Sequence, residues 1–187
     1  MEINQAHKDA IDLERGRAID AFSKMESALC WILKEAAHLE LHTAATIFYS
    51  NISLQPRVEV VSAILEESCG NTFNVFWESV RKAIDSLNKQ RNKIIHWHSY
   101  PCFEGEELKN KEFILLHPII KDEKLSKLSI HDIRHFIEKT EYLAGVLNRF
   151  RGCFESSMKA LQRRDIEIFS SNDFKFPPPA NDPFASK

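Results

Sequence analysis

Apolar residues recur at three- and four-residue steps along most of the chain, the period of an amphipathic helix rather than the two-residue alternation of a strand. Ile11, Ala18, Phe22, Met25, Leu29, Ile32, Leu33 and Ala36 share one stripe, which predicts a long first helix from about Gln5 to Glu40. A shorter run from His42 to Tyr49 carries Ala44, Ala45, Ile47 and Phe48. Asn51-Ile52-Ser53 and Pro56 mark a break, with Ser53 a candidate N-cap for a helix from Gln55 to Ser68 built on Val58, Val61, Ile64 and Leu65. Cys69-Gly70-Asn71 supplies its C-cap and turn. Phe73 to about Trp97 then places Phe76, Trp77, Val80, Ala83, Ile84, Leu87, Ile94 and Ile95 at helical spacing.

From Tyr100 to Lys124 the pattern changes, with Pro101 and Gly105 as interruptions, and Glu112 to Ile119 reads as one short strand, half of a hairpin. Ser129, with Asp132 three residues on, forms a capping-box-like start for a last long helix through Ile133, Phe136, Ile137, Leu143, Val146, Leu147, Phe150, Phe154 and Leu161. Ser170 to Lys187, with Pro177-Pro178-Pro179 and Pro183, offers little apolar surface to offset its ordering entropy, which predicts a mobile tail. The expectation is an all-α bundle of four to six helices over residues 1–169, a strand or small hairpin inserted after the fourth helix, and a flexible Pro-rich tail over 170–187.

Composition agrees: 5 glycines and 7 prolines, four of the prolines in the tail, let long helices run unbroken. A net charge of −2 gives no broad basic field for tight binding to duplex DNA, so any nucleic-acid contact must be local. Cys30, Cys69, Cys102 and Cys153 are isolated, which reads as free thiols in a reducing cytosol. No stretch approaches the ~18 apolar residues of a membrane span, and the expected location is cytoplasmic.

The candidate chemistry lies at the end of the fourth predicted helix. At about 100° per residue, Ile84, Leu87, Arg91, Ile94 and His98 fall in one arc, so a guanidinium sits within the helix's own apolar stripe. Arginine cannot shed its charge, and the position implies a salt bridge, a dimer groove or a phosphate-binding cleft. Asn92 and His96 are one turn apart, and Arg91 is long enough to reach toward the imidazole. Histidine suits proton transfer near neutrality, and arginine presents a fork to phosphate oxygens. Arg81, Lys82, Lys89, Arg91 and Lys93 outnumber Asp85 on this one helix.

Arg91-Asn92-Lys93-Ile94-Ile95-His96 resembles the Arg, polar residue, three residues, His motif of HEPN domains. The likeness extends over about Asp12 to Phe154, with a long first helix containing Glu26 and a late helix after Leu128-Ser129. The resemblance implies a HEPN-like helical bundle that dimerises so that Arg91 and His96 of both chains line one cleft. It further implies endoribonuclease activity needing neither metal nor cofactor, in a toxin or defence effector with RNA as substrate and an antitoxin or regulatory protein as partner. In that scheme His96 is the acid/base, Arg91 the phosphate clamp and Asn92 the orienting polar group, with Glu26, Lys93 and His98 in support. Trp97-His98 departs from the shorter or glycine-rich sequence that follows the histidine in many relatives.

Other readings compete. Arg91 could pair with a buried carboxylate such as Glu26 while His96 caps the helix, which would be structural only. A non-catalytic HEPN-like module binding a protein or nucleotide would use the same helix. His131-Asp132-Ile133-Arg134-His135 has the histidine spacing of a zinc motif but lacks its glutamate and a third ligand. His38 and His42, also four apart, and the cluster Lys159, Arg163 and Arg164 read as surface groups near helix ends.

Overall fold

The computed structural model describes residues 5–101, 113–117, 127–154 and 159–185, the side chains of 159–162 excepted. Among these residues the chain forms α1 (Gln5–Ala36), α2 (Leu41–Ser50), α3 (Leu54–Cys69), α4 (Asn74–His96), β1 (His98–Pro101), β2 (Phe113–Leu116), β3 (Lys127–Leu128), α5 (Ile130–Arg151) and α6 (Lys159–Ser171). It is a helical fold with one small antiparallel sheet in the order β1-β2-β3. No helix is long and apolar enough to cross a membrane among the described residues.

The α1 stripe is the spine of the core. Met25, Leu29 and Ile32 are fully buried, and Ile11, Ala18, Phe22, Leu33 and Ala36 are nearly so. Each large side chain buried in this way contributes about 1.5–3 kcal/mol of transfer free energy. Its most extensive partner is α5, where Phe136 stacks on Phe22 with ring centroids 6.3 Å apart. Phe76 of α4 and Phe150 of α5 meet at 4.8 Å, and Phe73, Phe154 and Phe169 close around them.

Helix ends follow local chemistry. Ser129 and Asp132 make the full capping box at the start of α5, the hydroxyl accepting from the Asp132 amide and the Asp132 carboxylate accepting from the Ser129 amide. Ser53 occupies the N-cap position of α3, but its side chain makes no capping hydrogen bond. α1 ends with His38 at φ 53°, where the Leu39 amide reaches the Lys34 carbonyl and the His38 amide the Glu35 carbonyl. That is the bond pattern of a glycine-type helix stop carried by a histidine. His38 therefore lies in the turn after α1 and His42 on α2, so the two share no helix.

The strand expected over Glu112–Ile119 is present as β2, shorter, with Glu112, Pro118 and Ile119 outside the described residues. Its neighbours β1 and β3 make it the centre of a sheet, paired in register from His98↔Leu116 to Pro101↔Phe113. Phe113, Ile114 and Leu115 are all buried, so both faces of β2 are covered, which explains its continuous apolar run.

Two expectations are corrected. The last long helix is two, because α5 stops at Gly152, whose amide bonds back to the Arg149 and Phe150 carbonyls, and α6 begins at Lys159. The C-terminal segment, expected to be loose, is packed through Ala185. Phe174 and Phe184 are buried, Phe184 lying 5.2 Å from Phe169 and 5.5 Å from Phe76. The Arg149 guanidinium pairs with Asp165 at 2.6 Å and donates to the Pro183 and Ala185 carbonyls. Three phenylalanines among the prolines supply the apolar surface that the proline count obscures. Phe184→Ala is accordingly expected to destabilise the fold by about 3–5 kcal/mol, read by denaturant unfolding, whereas a loose tail would show no change.

Candidate functional site

The last turn of α4 presents the motif. Ile94 is buried and anchors the turn, Trp97 is buried just beyond it, and Asn92, Lys93 and His96 are exposed between these anchors. Trp97 turns extended, its amide bonding to the Lys93 carbonyl at 2.9 Å, and the chain enters β1. His98 is thus on the strand and not on the helical arc, where it stacks near Tyr100 at 6.4 Å. The Lys93 ammonium lies over the Trp97 ring at 5.1 Å.

Arg91 is half-buried, its guanidinium 5.7 Å from the centre of the Phe22 ring and donating from Nη1 to the side-chain Oδ1 of Asn92 at 3.1 Å. The aromatic face and the amide fix the fork without neutralising it. No carboxylate among the described residues pairs with it. Glu26, the expected partner, is taken elsewhere: Arg57 at the start of α3 donates to it at 2.6 Å. Arg57 also donates to the Asn51 carbonyl and lies over the Phe48 and Tyr49 rings at 5.5 and 5.0 Å. The Glu26–Arg91 pairing is therefore corrected to Glu26–Arg57.

Asn92 and His96 are four residues apart on the exposed face, which brings them within about 5–6 Å at Cβ. No described residue hydrogen-bonds to the His96 imidazole. The surplus of cations on α4 is smaller than a count suggests, since Arg81 pairs with Glu78 at 2.9 Å and Lys89 with Asp85 at 2.7 Å. Lys82, Arg91 and Lys93 remain without a carboxylate among the described residues.

Sequence reasoning missed Arg15. From α1 its Nε donates to the Ile94 carbonyl and its Nη2 to the Ile95 carbonyl, both at 3.1 Å, and Nη1 lies 3.5 Å from Asp12. The signal was available: Arg15 falls between Ile11, Ala18 and Phe22 on the α1 stripe, an arginine among apolar positions just as Arg91 is. Glu14 carries a similar signal and is buried against Arg134 at 3.0 Å and Arg17 at 3.3 Å.

The remaining candidates are dispersed. Asp132 is committed to the capping box, His131 is exposed and His135 lies 5.3 Å from Phe176. Arg163 and Arg164 are exposed on α6, and the side chain of Lys159 lies outside the described residues. No group of three His, Cys, Asp or Glu that could hold a metal ion occurs among the described residues. Cys30, Cys69 and Cys153 are free thiols, and Cys102 is outside the described residues. Burial, then Asp165 and Cys69, push the Cys153 thiol up to about 12 against the opposing pull of Arg149, so it is a poor nucleophile near neutral pH. A cleft between α3 and α4, lined by Ser62, Leu65, Phe73, Trp77 and Arg81, is about 15 Å along α4 from Arg91.

Set beside known proteins, the chain matches no protein-family model, no curated protein and no solved structure.

The partner assignments separate an arginine held in a largely buried ion pair, Arg57, from one without a carboxylate among the described residues, Arg91. Arg57→Ala strands the largely buried Glu26 carboxylate and is expected to cost about 2–4 kcal/mol of stability, whereas Arg91→Ala strands no charge and should cost less than about 1 kcal/mol. Chemical denaturation of the two variants checks this.

Proposed function

We propose that this chain is a metal-independent endoribonuclease of the HEPN type, working as a homodimer in the cytoplasm as a toxin or defence effector. The observation that carries the reading is Arg91: half-buried, fixed by Phe22 and Asn92, and neutralised by no described carboxylate. Holding an unneutralised guanidinium partly out of water has a desolvation cost, which an anionic ligand would offset. The exposed imidazole of His96 lies five residues further on at the same helix end, one turn beyond Asn92.

The reaction such a site supports is attack of a ribose 2′-hydroxyl on the adjacent phosphorus. A new 2′-O–P bond forms, the P–O5′ bond breaks, and the products are a 2′,3′-cyclic phosphate and a free 5′-hydroxyl. His96 takes the proton from the 2′-oxygen or returns one to the 5′-oxygen. Arg91 binds the phosphate oxygens and the charge that builds on them, and Asn92 holds the guanidinium. Lys93, neighbouring on the exposed face, adds to the attraction for the RNA backbone. Glu26 acts at a distance through Arg57 and the packing of α3, and His98 follows the motif as the first residue of β1.

The site lies on an exposed helix end, so a second copy would be needed to make a cleft of it. The stretch from Leu41 to Gln55 contains no charged residue and exposes Leu41, Ile47, Tyr49 and Ile52, the last at 99%. A second copy of the chain could meet this surface without like-charge repulsion. The exposure of His96 also suits the alternative of a module that binds a protein or nucleotide without cutting.

Incubation of wild type and His96→Ala with mixed RNA in EDTA separates the two. Wild type is expected to yield fragments ending in 2′,3′-cyclic phosphate, and His96→Ala to lose at least about 100-fold in rate with its melting temperature unchanged. Intact RNA with both proteins would favour the binding module.

A further inference from the structure

An α-helix leaves its last carbonyls without internal partners. At the end of α4 the Lys93 carbonyl accepts from the Trp97 amide, and the next two, of Ile94 and Ile95, accept from Arg15. The fork crosses from a residue 79 and 80 positions earlier in the chain. Its third nitrogen faces Asp12, so the whole guanidinium is engaged. The residue that follows these carbonyls is His96. Its own side chain is held by no described group, so the direction of the imidazole is set by the backbone that bears it. That backbone is pinned by buried Ile94 on one side, buried Trp97 on the other, and the Arg15 fork across the turn.

We propose that Arg15 is the positioning residue of the His96 site: by bridging the Ile94 and Ile95 carbonyls it fixes the final turn of α4 and thereby the direction of the imidazole, one turn beyond Asn92. This rests on the reading of His96 as the proton-transfer group. The chemistry calls for arginine specifically. A lysine ammonium is a point charge that can satisfy the negative end of the helix, but its geometry is not preset to bridge two successive carbonyls. Arg15 and Arg91 then divide the work: one guanidinium is consumed by the backbone, and the other stays available to a ligand.

The test uses full-length wild type, Arg15→Gln and Arg15→Lys, with histidine rings carrying carbon-13 and the His96 signal identified by its loss in His96→Ala. Both Arg15 variants are expected to shift or broaden the His96 ring signal while those of His38 and His42, at the α1–α2 corner, stay in place. In RNA cleavage kcat should fall on the order of 100-fold with KM unchanged, as for a catalytic group displaced by about 1 Å. If Arg15→Gln does not fold, Arg15→Lys, which keeps the charge at the helix end, decides the matter. An unmoved His96 signal, or wild-type kcat in a folded variant, overturns the proposal. Failure of the wild type to cut RNA overturns the nuclease reading instead, and the His96 signal still decides the role of Arg15.

Discussion

A carboxylate taken largely out of water needs a cation beside it, and a cation so used is lost to other purposes. Glu26 of α1 meets Arg57 at 2.6 Å, and their side chains are only 19% and 13% exposed respectively. The consequence reaches across α1. Phe22 lies one turn before Glu26 on the same face, and Arg91 stands over it. With Glu26 committed to α3, the second arginine is left with a ring face and an amide oxygen, which hold it without neutralising it. The availability of Arg91 thus depends on an ion pair in which it takes no part.

α1 is the element through which the site is organised. Along one of its faces Arg15 holds the end of α4, Phe22 supports Arg91, and Glu26 occupies Arg57. The same face carries the apolar residues that pack against α5, so core and site share one rigid element. The final turn is where a helix is least constrained and most needs a partner, and Arg15 supplies one at the end of α4. β1 begins directly after Trp97, whose buried side chain and extended backbone close the helix.

The helical pattern was legible because every large residue on the α1 stripe belongs to the core, and the period of 3.6 leaves little ambiguity in a run of that length. The capping box at Ser129 was equally legible, being encoded within four residues. Ranges failed where the deciding contacts are distant. The break at Gly152 lies within an apolar period that continues to Leu161, and the packed tail depends on Phe76 and Phe169, which stand far from Phe184 in sequence. The motif residues were found from their position on one helix, but their partners were not. Glu26 pairs with Arg57, while Arg91 meets Phe22 one turn earlier on α1, and only packing decides between the two arginines. Arg15 carried the same sign as Arg91, a charge within an apolar stripe, without a neighbouring histidine to draw attention to it.

The central claim is that Arg91 is held for an anion. Its most direct test is the affinity of an uncleavable, 2′-deoxy-substituted RNA measured over a range of salt concentrations for wild type and Arg91→Ala. One lost phosphate contact per site on a single strand should lower the slope of log Kd against log salt by about 0.7, with weaker binding at low salt. Identical slopes and affinities for the two proteins would contradict the account and return Arg91 to the role of a packing residue above Phe22.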